Sequence, residues 1–187
     1  TFNERYNFYV VEMGIDSPFP PKNMDYLLSI IRPHIAIILG ASLTHAAGFD
    51  SLVKDRDPKR REHKILNLIA KEKMKLAQSL APDGVAILNC DNAAIMSFAS
   101  DLKCRTISFG LASNSTVKIS QTKVNTTGFH IKLSYQSQNA VLDLPDIYGS
   151  EYGYTFAAAI AAALSLGISL TKSISALSEY RAPAGRM

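Results

Sequence analysis

Short, continuous apolar runs alternate with amphipathic segments through the first 110 residues of the chain. The apolar runs cover residues 8–11, 35–39, 85–88 and 106–109. Such runs are typical of strands that are covered on both faces. Between them, segments 23–31 and 65–80 repeat apolar residues at helical spacing. This alternation of strand and helix predicts an α/β fold, with a mostly parallel sheet flanked by helices.

The pattern changes after residue 110. Alternating apolar and polar residues predict three antiparallel strands, at 115–125, 129–136 and 140–144. Two helical segments follow, at 152–166 and 170–179, and they are joined through Gly167. We therefore expect one domain in three parts: a parallel α/β part at 1–110, a small antiparallel sheet at 111–145, and C-terminal helices at 146–187.

The composition is that of a folded globular domain. The 187 residues are 47% hydrophobic and 19% charged, and this length can bury a proper core. The most apolar stretch, 155–168, is shorter than the roughly 20 residues that a membrane-spanning helix needs, so we expect no membrane insertion. Two cysteines are too few for a disulfide framework and lack metal-ligand spacing, which favours the reducing cytoplasm.

The segment 54–64 is dense in charges of both signs, and Pro58 within it predicts a loop at 49–63 rather than a continuous helix. The net charge of +4 permits an anionic ligand without requiring one. Acidic residues interrupt the basic ones and no aromatic residues lie among them. We therefore interpret 54–64 as a solvated insertion and not as a nucleic-acid site.

Polar residues follow three of the predicted strands: Glu12 and Gly14, then residues 40–45, then Asn89 and Asp91. The carboxyl ends of parallel strands meet at one edge of a sheet, which is where ligands bind in such folds. A carboxylate and an imidazole there can hold a hard divalent cation such as Mg²⁺. Taken alone, His45 is better explained as a partly buried histidine bonded to backbone than as a ligand, and its pairing with Glu12 favours the ligand.

Seven short motifs, in order along nearly the whole chain, resemble the central domain of the Mur ligase family. They are VEMG at 11–14, IRPHIAII at 31–38, GFDSL at 48–52 just after His45, IAKEK at 69–73, GVAILNCD at 84–91, AAAIA at 157–161 with LGI at 166–168, and PAGRM at 183–187. The chain is most similar to the subgroup that adds D-alanyl-D-alanine to a UDP-N-acetylmuramoyl tripeptide.

The resemblance implies an ATP-dependent carboxylate–amine ligase of peptidoglycan precursor synthesis. ATP phosphorylates a peptide carboxylate, and the incoming amine attacks the acyl phosphate to form an amide. Glu12, His45 and Lys73 match the family's magnesium positions, with His45 and Lys73 also in catalytic roles. Lys73 matches a lysine that carbon dioxide converts to a carbamate, an anionic oxygen donor that suits Mg²⁺. Without the resemblance, Lys73 is an ordinary solvated helix lysine.

The resemblance also implies three nucleotide-binding residues. Arg186 matches an arginine that contacts ATP phosphates, although the residues alone also fit a flexible end residue. Asn89 and Thr155 stand at nucleotide-contact positions. The family has asparagine where this chain has Thr155, and histidine followed by asparagine where it has Glu151 and Tyr152.

Other departures concern the phosphates. The family's Gly-x-x-Gly-Lys-Thr loop has no counterpart, since the sequence contains no Gly-Lys dipeptide. Residues 39–40 are Leu-Gly where the family usually has Thr-Asn. We expect a central domain truncated at both ends, inactive by itself, and a monomer or weak dimer. Two alternatives stay open: a folylpolyglutamate or cyanophycin type of ligase, and a binding module that has lost catalysis.

Overall fold

The computed structural model describes residues 6–182, apart from the side chain of His45. In this part of the chain six strands form one sheet, in the same order as in the sequence. The strands are β1 (Ile35–Ile38), β2 (Val85–Asn89), β3 (Arg105–Gly110), β4 (Val117–Asn125), β5 (Gly128–Tyr135) and β6 (Gln138–Leu144). Strands β1 to β4 pair in parallel, and β5 and β6 add antiparallel pairs. The α/β prediction is confirmed.

Helices cover both sides of the sheet. The α-helices are α1 (Met24–Ile30), α2 (Pro58–Gln78), α3 (Ala93–Met96), α4 (Tyr152–Ser165) and α5 (Leu170–Ser178). Short 3-10 helices occupy Leu43–Gly48, Asp50–Leu52 and Ala99–Asp101. Helices α1 to α3 belong to one hydrophobic core, and α4 and α5 to the other. No helix among residues 6–182 has the length and apolar character to cross a bilayer.

Strand β2 shows why the first part of the sequence consists of continuous apolar runs. Ile87 packs into the core beneath α4, whereas its neighbour Leu88 packs into the core beneath α2. Both side chains are fully buried. Successive residues of a strand point to opposite faces, so a strand between two helical layers needs an apolar residue at every position.

The predicted loop at 49–63 is wrong in its second half, because α2 begins at Pro58. Asp57 caps this helix through a side-chain oxygen that accepts a hydrogen bond from the Arg60 N–H at 3.0 Å. Proline is well suited to the first helical position, where its fixed φ fits and its missing N–H would have no partner within the helix. Pro58 therefore begins a helix and does not interrupt one.

The predicted strand at 8–11 is also wrong. The segment lies outside the sheet, and the side chains of Phe8 and Val10 are 62% and 89% exposed. A strand exists only when a neighbouring strand accepts its hydrogen bonds, and hydrophobic pattern does not report whether such a neighbour is present. Downstream of this segment the chain enters the core at Ile15, which is buried.

The three antiparallel strands were predicted close to their observed bounds, yet they do not form a separate sheet. Strand β4 pairs in parallel with β3 through Phe109 opposite Val117 and Gly110 opposite Lys118. The antiparallel strands therefore continue the parallel sheet. Alternation within a strand identifies its two faces but not its lateral neighbour, so the sequence could not show this junction.

Candidate active site

The loops after β1 and β2 are held together at the carboxyl edge of the sheet. The Asn89 side chain donates through Nδ2 to the Leu39 carbonyl at 2.8 Å, and its Oδ1 accepts from the Asp91 N–H at 3.0 Å. Asn92 adds a second link, from Nδ2 to the Ala41 carbonyl at 3.1 Å. The predicted convergence of residues 40–45 with Asn89 and Asp91 is therefore observed in this structure, whereas Glu12 and Gly14 do not follow a strand, because 8–11 lies outside the sheet.

Lys73 reaches the same edge from α2. Its ammonium Nζ donates to the Gly40 carbonyl at 2.8 Å. The side chain is half-buried, and this burial lowers the pKa of Lys73 below its ordinary value because a charged amine loses hydration there. A solvated surface lysine is thus excluded, and the amine lies where a ligand at the strand ends would meet it.

Glu12 is exposed and lies in the irregular segment that precedes Ile15. His45 belongs to the 3-10 helix Leu43–Gly48, but its side chain lies outside the described part of the structure. The backbones of the two segments are in close contact, since a Cβ on Gly48 would lie 1.9 Å from the Asp16 carbonyl oxygen. Glycine is therefore required at position 48, and it brings the helix of His45 against the segment that follows Glu12.

The metal prediction stays a prediction. Among the side chains that the structure describes, no group of three or more His, Cys, Asp and Glu could hold a metal ion. A lysine carbamate is not a member of that donor set, and the imidazole of His45 is not described. The half-buried Lys73 amine fits a site of this kind, because burial favours the neutral amine that carbamate formation requires.

The predicted nucleotide residues have different surroundings. Thr155 is exposed in the first turn of α4. Asn89 is buried, and its amide nitrogen and oxygen are both bonded to the protein, so it organises the edge. Arg186 lies outside the described residues. These three assignments remain predictions.

Sequence reasoning missed a cluster centred on the carboxylate of Asp91. Asp91 Oδ2 accepts from the Leu111 N–H at 2.5 Å and from the Tyr154 hydroxyl at 3.1 Å, and Oδ1 accepts from the Ala112 N–H at 3.0 Å. Burial and the neighbouring Asp91 carboxylate raise the pKa of Tyr154. Asp91 was noted in the sequence as a strand-end carboxylate, but no signal pairs it with a tyrosine 63 positions away.

Taken together, the fold and this edge define an α/β domain whose candidate ligand site is formed by loops at the carboxyl ends of parallel strands. The sequence matches the family described as the Mur ligase middle domain over residues 1–163. The chain therefore belongs to that family, which confirms the resemblance drawn from the motifs.

Individual relatives agree with this membership. Over 144 residues the chain is 25% identical to the UDP-N-acetylmuramoyl-tripeptide–D-alanyl-D-alanine ligase of Buchnera aphidicola, a match that covers 76% of this chain and 28% of that protein. Among solved structures, the UDP-N-acetylmuramoylalanyl-D-glutamyl-2,6-diaminopimelate–D-alanyl-D-alanyl ligase of Acinetobacter baumannii superposes with a TM-score of 0.68 at 23% identity. The match covers 87% of this chain and 32% of that one.

A third similar structure is the MurF ligase of Thermotoga maritima in complex with ADP. It has a TM-score of 0.67 at 16% identity, and the match covers 87% of this chain and 34% of that one. At these identities the structural similarities establish the shared fold. The chain spans about a third of the length of these relatives.

Proposed function

We propose that this chain is the central, ATP-binding domain of a ligase that joins D-alanyl-D-alanine to a UDP-N-acetylmuramoyl tripeptide through an acyl phosphate. The observation that carries the proposal is the half-buried amine of Lys73, 2.8 Å from the Gly40 carbonyl at the ligand-binding edge of the sheet. The similarity to the Buchnera ligase supports the choice of substrates.

Lys73 has the chemistry that a carbamate needs. Its neutral amine attacks carbon dioxide, a nitrogen–carbon bond forms, one amine proton passes to solvent, and the product is an anionic carbamate. Burial promotes this step because it lowers the pKa of the amine. The carbamate, Glu12 and His45 would then hold Mg²⁺, which offsets negative charge on the ATP phosphates when it is bound.

The remaining residues would bind and orient the nucleotide. Thr155 is exposed in the first turn of α4 and would contact ATP, and Asn89 links the loops after β1 and β2. Arg186 would add a permanent positive charge for the phosphates. Because the sequence has no Gly-Lys dipeptide of the kind that cradles phosphates, we expect the chain alone to be inactive.

The test uses the full-length protein with ATP, Mg²⁺, the UDP-linked tripeptide and D-alanyl-D-alanine, and it measures phosphate release that depends on the dipeptide. We expect Lys73→Ala to lower this rate by about a hundredfold or more, because a ligand to the metal is lost. Lys71→Ala is the matched control, since Lys71 is exposed on the same helix. A wild type with no dipeptide-dependent release, or a fully active Lys73→Ala, would contradict the proposal.

Carbamate formation has its own readout. Addition of ¹³C-labelled carbon dioxide to the wild-type chain should give a carbamate carbon signal in NMR spectra that Lys73→Ala lacks and Lys71→Ala keeps. The same signal in all three proteins would show that Lys73 is not the modified residue.

A binding module without catalysis is the second candidate. The missing Gly-Lys dipeptide favours it, and so does Asn89, whose polar atoms are occupied within the protein. A panel of acceptors offered to the full-length protein, including glutamate for folylpolyglutamate and aspartate or arginine for cyanophycin chemistry, separates the ligase types. Activity with none of them favours the module.

Both cysteines are free thiols in this structure, which supports the proposed cytoplasmic location.

A further inference from the structure

The carboxylate of Asp91 links three parts of the fold at the candidate site. Asp91 directly follows Cys90, just beyond the end of β2, and accepts backbone hydrogen bonds from Leu111 and Ala112 in the loop between β3 and β4. It also accepts a hydrogen bond from the hydroxyl of Tyr154, which belongs to the first turn of α4. Hydrogen bonds to an ionised acceptor are stronger than those between neutral groups.

The Asp91 carboxylate fits here because position 110 is a glycine. Gly110 has φ of +150°, and a Cβ there would lie 2.5 Å from Asp91 Oδ2, so a side chain at position 110 would displace the carboxylate. The neighbouring Cys90 fixes the same loop, with its thiol donating to the Phe109 carbonyl at 3.2 Å and lying 2.9 Å from the Ser115 hydroxyl. The position of the Asp91 carboxylate is therefore fixed by the backbone of Gly110, Leu111 and Ala112.

Helix α4 is joined to this carboxylate at its N-terminus. Glu151, the N-cap residue, makes no side-chain hydrogen bond to the helix. Tyr154 supplies a connection to the sheet edge instead, and Thr155 is the next residue in the chain. On the other side, the Asp91 N–H donates to Asn89. The two predicted nucleotide-contact residues are thus joined through Asp91 and Tyr154.

We propose that Asp91 is a positioning residue for the nucleotide, acting through Tyr154 to set the first turn of α4, and with it Thr155, against the loops after β1 and β2. This inference rests on the proposed function, because it assumes that a nucleotide binds at this edge. It assigns neither Asp91 nor Tyr154 a contact with the reacting atoms.

The principal test compares Tyr154→Phe with Tyr148→Phe in the full-length protein. Tyr154→Phe keeps the ring and removes the hydroxyl that Asp91 accepts, whereas Tyr148 is 51% exposed and its hydroxyl has no hydrogen bond among residues 6–182. We expect Tyr154→Phe to raise KM for ATP about three- to tenfold, in line with the net contribution of one hydrogen bond, and to change kcat by less than about twofold. Tyr148→Phe should leave both constants unchanged.

Asp91→Asn should raise KM for ATP further, since an amide replaces one acceptor oxygen with a donor. If the variant does not fold, as judged by circular dichroism, Tyr154→Phe decides the question by itself. Equal KM values for Tyr154→Phe and wild type would overturn the inference. So would a fall in kcat with KM unchanged.

ADP binding separates this inference from the proposed function. If the wild type binds ADP but does not turn over, the ligase proposal fails, and the ADP affinities of Tyr154→Phe and Tyr148→Phe still test positioning. If the wild type binds no ADP, both proposals fail. Hydrogen exchange of the full-length protein provides a structural check, because the amides of the first turn of α4 should exchange faster in Tyr154→Phe than in Tyr148→Phe. Unchanged exchange would contradict the link.

Discussion

The two halves of the sheet are covered differently. Around β1 to β3 the sheet lies between two helical layers, so that the adjacent residues Ile87 and Leu88 are both fully buried. In β6, by contrast, Leu142 is buried and its neighbour Val141 is 53% exposed. The antiparallel half has helices on one face only, which explains its alternating sequence.

The two halves also differ in role: the parallel half carries the candidate site, and the antiparallel half supports helices α4 and α5. The candidate site lies on the half covered on both faces, because parallel strands end together there and their loops converge. The antiparallel half packs against α4 and α5, with the ring centroids of Phe129 and Phe156 5.9 Å apart. It thereby holds the helix whose first turn carries Thr155. Its other face is polar, and the His130 and Asp143 side chains form a hydrogen bond of 2.5 Å there.

The largest expected effect tests the coverage of the two halves directly. We expect Ile87→Ala, Leu88→Ala and Leu142→Ala each to lower the free energy of unfolding by about 2–5 kcal/mol, because each leaves a cavity in a packed core. Val141→Ala should change it by no more than about 0.5 kcal/mol. Urea denaturation measures all four. A strong effect at Val141, or a weak one at Leu88, would show that the two halves are not covered as the structure describes.

A smaller effect is expected from polar groups. Glu72, buried beside Lys73 on α2, accepts from the Met24 N–H at 2.8 Å and pairs with Lys75 at 2.8 Å. Glu72→Ala leaves a buried N–H and a lysine without this acceptor, so we expect a loss of about 2–3 kcal/mol. The exposed Glu62 on the same helix is the matched control, and Glu62→Ala should cost no more than about 0.5 kcal/mol.

An ion pair on the exposed face of the antiparallel half provides the contrast to Glu72. Asp143 is 61% exposed at its side chain, and Asp143→Ala should cost less than about 1 kcal/mol because water solvates both partners of its pair with His130. Equal losses for Glu72→Ala and Asp143→Ala would contradict the comparison between the halves.

The smallest effect concerns pH. Burial lowers the pKa of Lys73 in the folded chain, so between that lowered value and the ordinary one the unfolded chain binds more protons. The stability of the wild type should therefore rise with pH across this window, relative to Lys73→Met. Lys71→Met, which replaces an exposed lysine on the same helix, should follow the wild type. Denaturation series without carbon dioxide or metal measure this, and parallel curves for all three proteins would refute it.

Much of the fold could be predicted from the sequence where local pattern is sufficient. Strand β2 and helix α4 were found within a residue or so, because each is strongly apolar over its own length. The start of α2 was missed because proline both ends helices and begins them, and the capping bond of Asp57 decides between the two. The strand at 8–11 was wrongly predicted because apolar pattern does not supply a partner strand.

The candidate site was partly predictable for a related reason. Family motifs identified Lys73 and Asn89. The α/β pattern placed Asn89 at the strand ends, whereas for Lys73 only the family resemblance implied a place there. The motifs did not show that the Asn89 side chain is hydrogen-bonded to Leu39 and Asp91. They also did not show that Asp91 accepts a hydrogen bond from Tyr154. Such pairs depend on how whole elements pack, which no single segment encodes.

The sequence by itself determined the strand and helix types, the family, and the residues with candidate chemistry, since periodicity and motif are properties of neighbouring residues. Only the tertiary structure decided that all six strands form one sheet, that Lys73 is half-buried against Gly40, and that α4 is tied to the sheet edge through Asp91. The physical reason is distance along the chain: Lys73 and Gly40 are 33 residues apart, and packing brings such groups together.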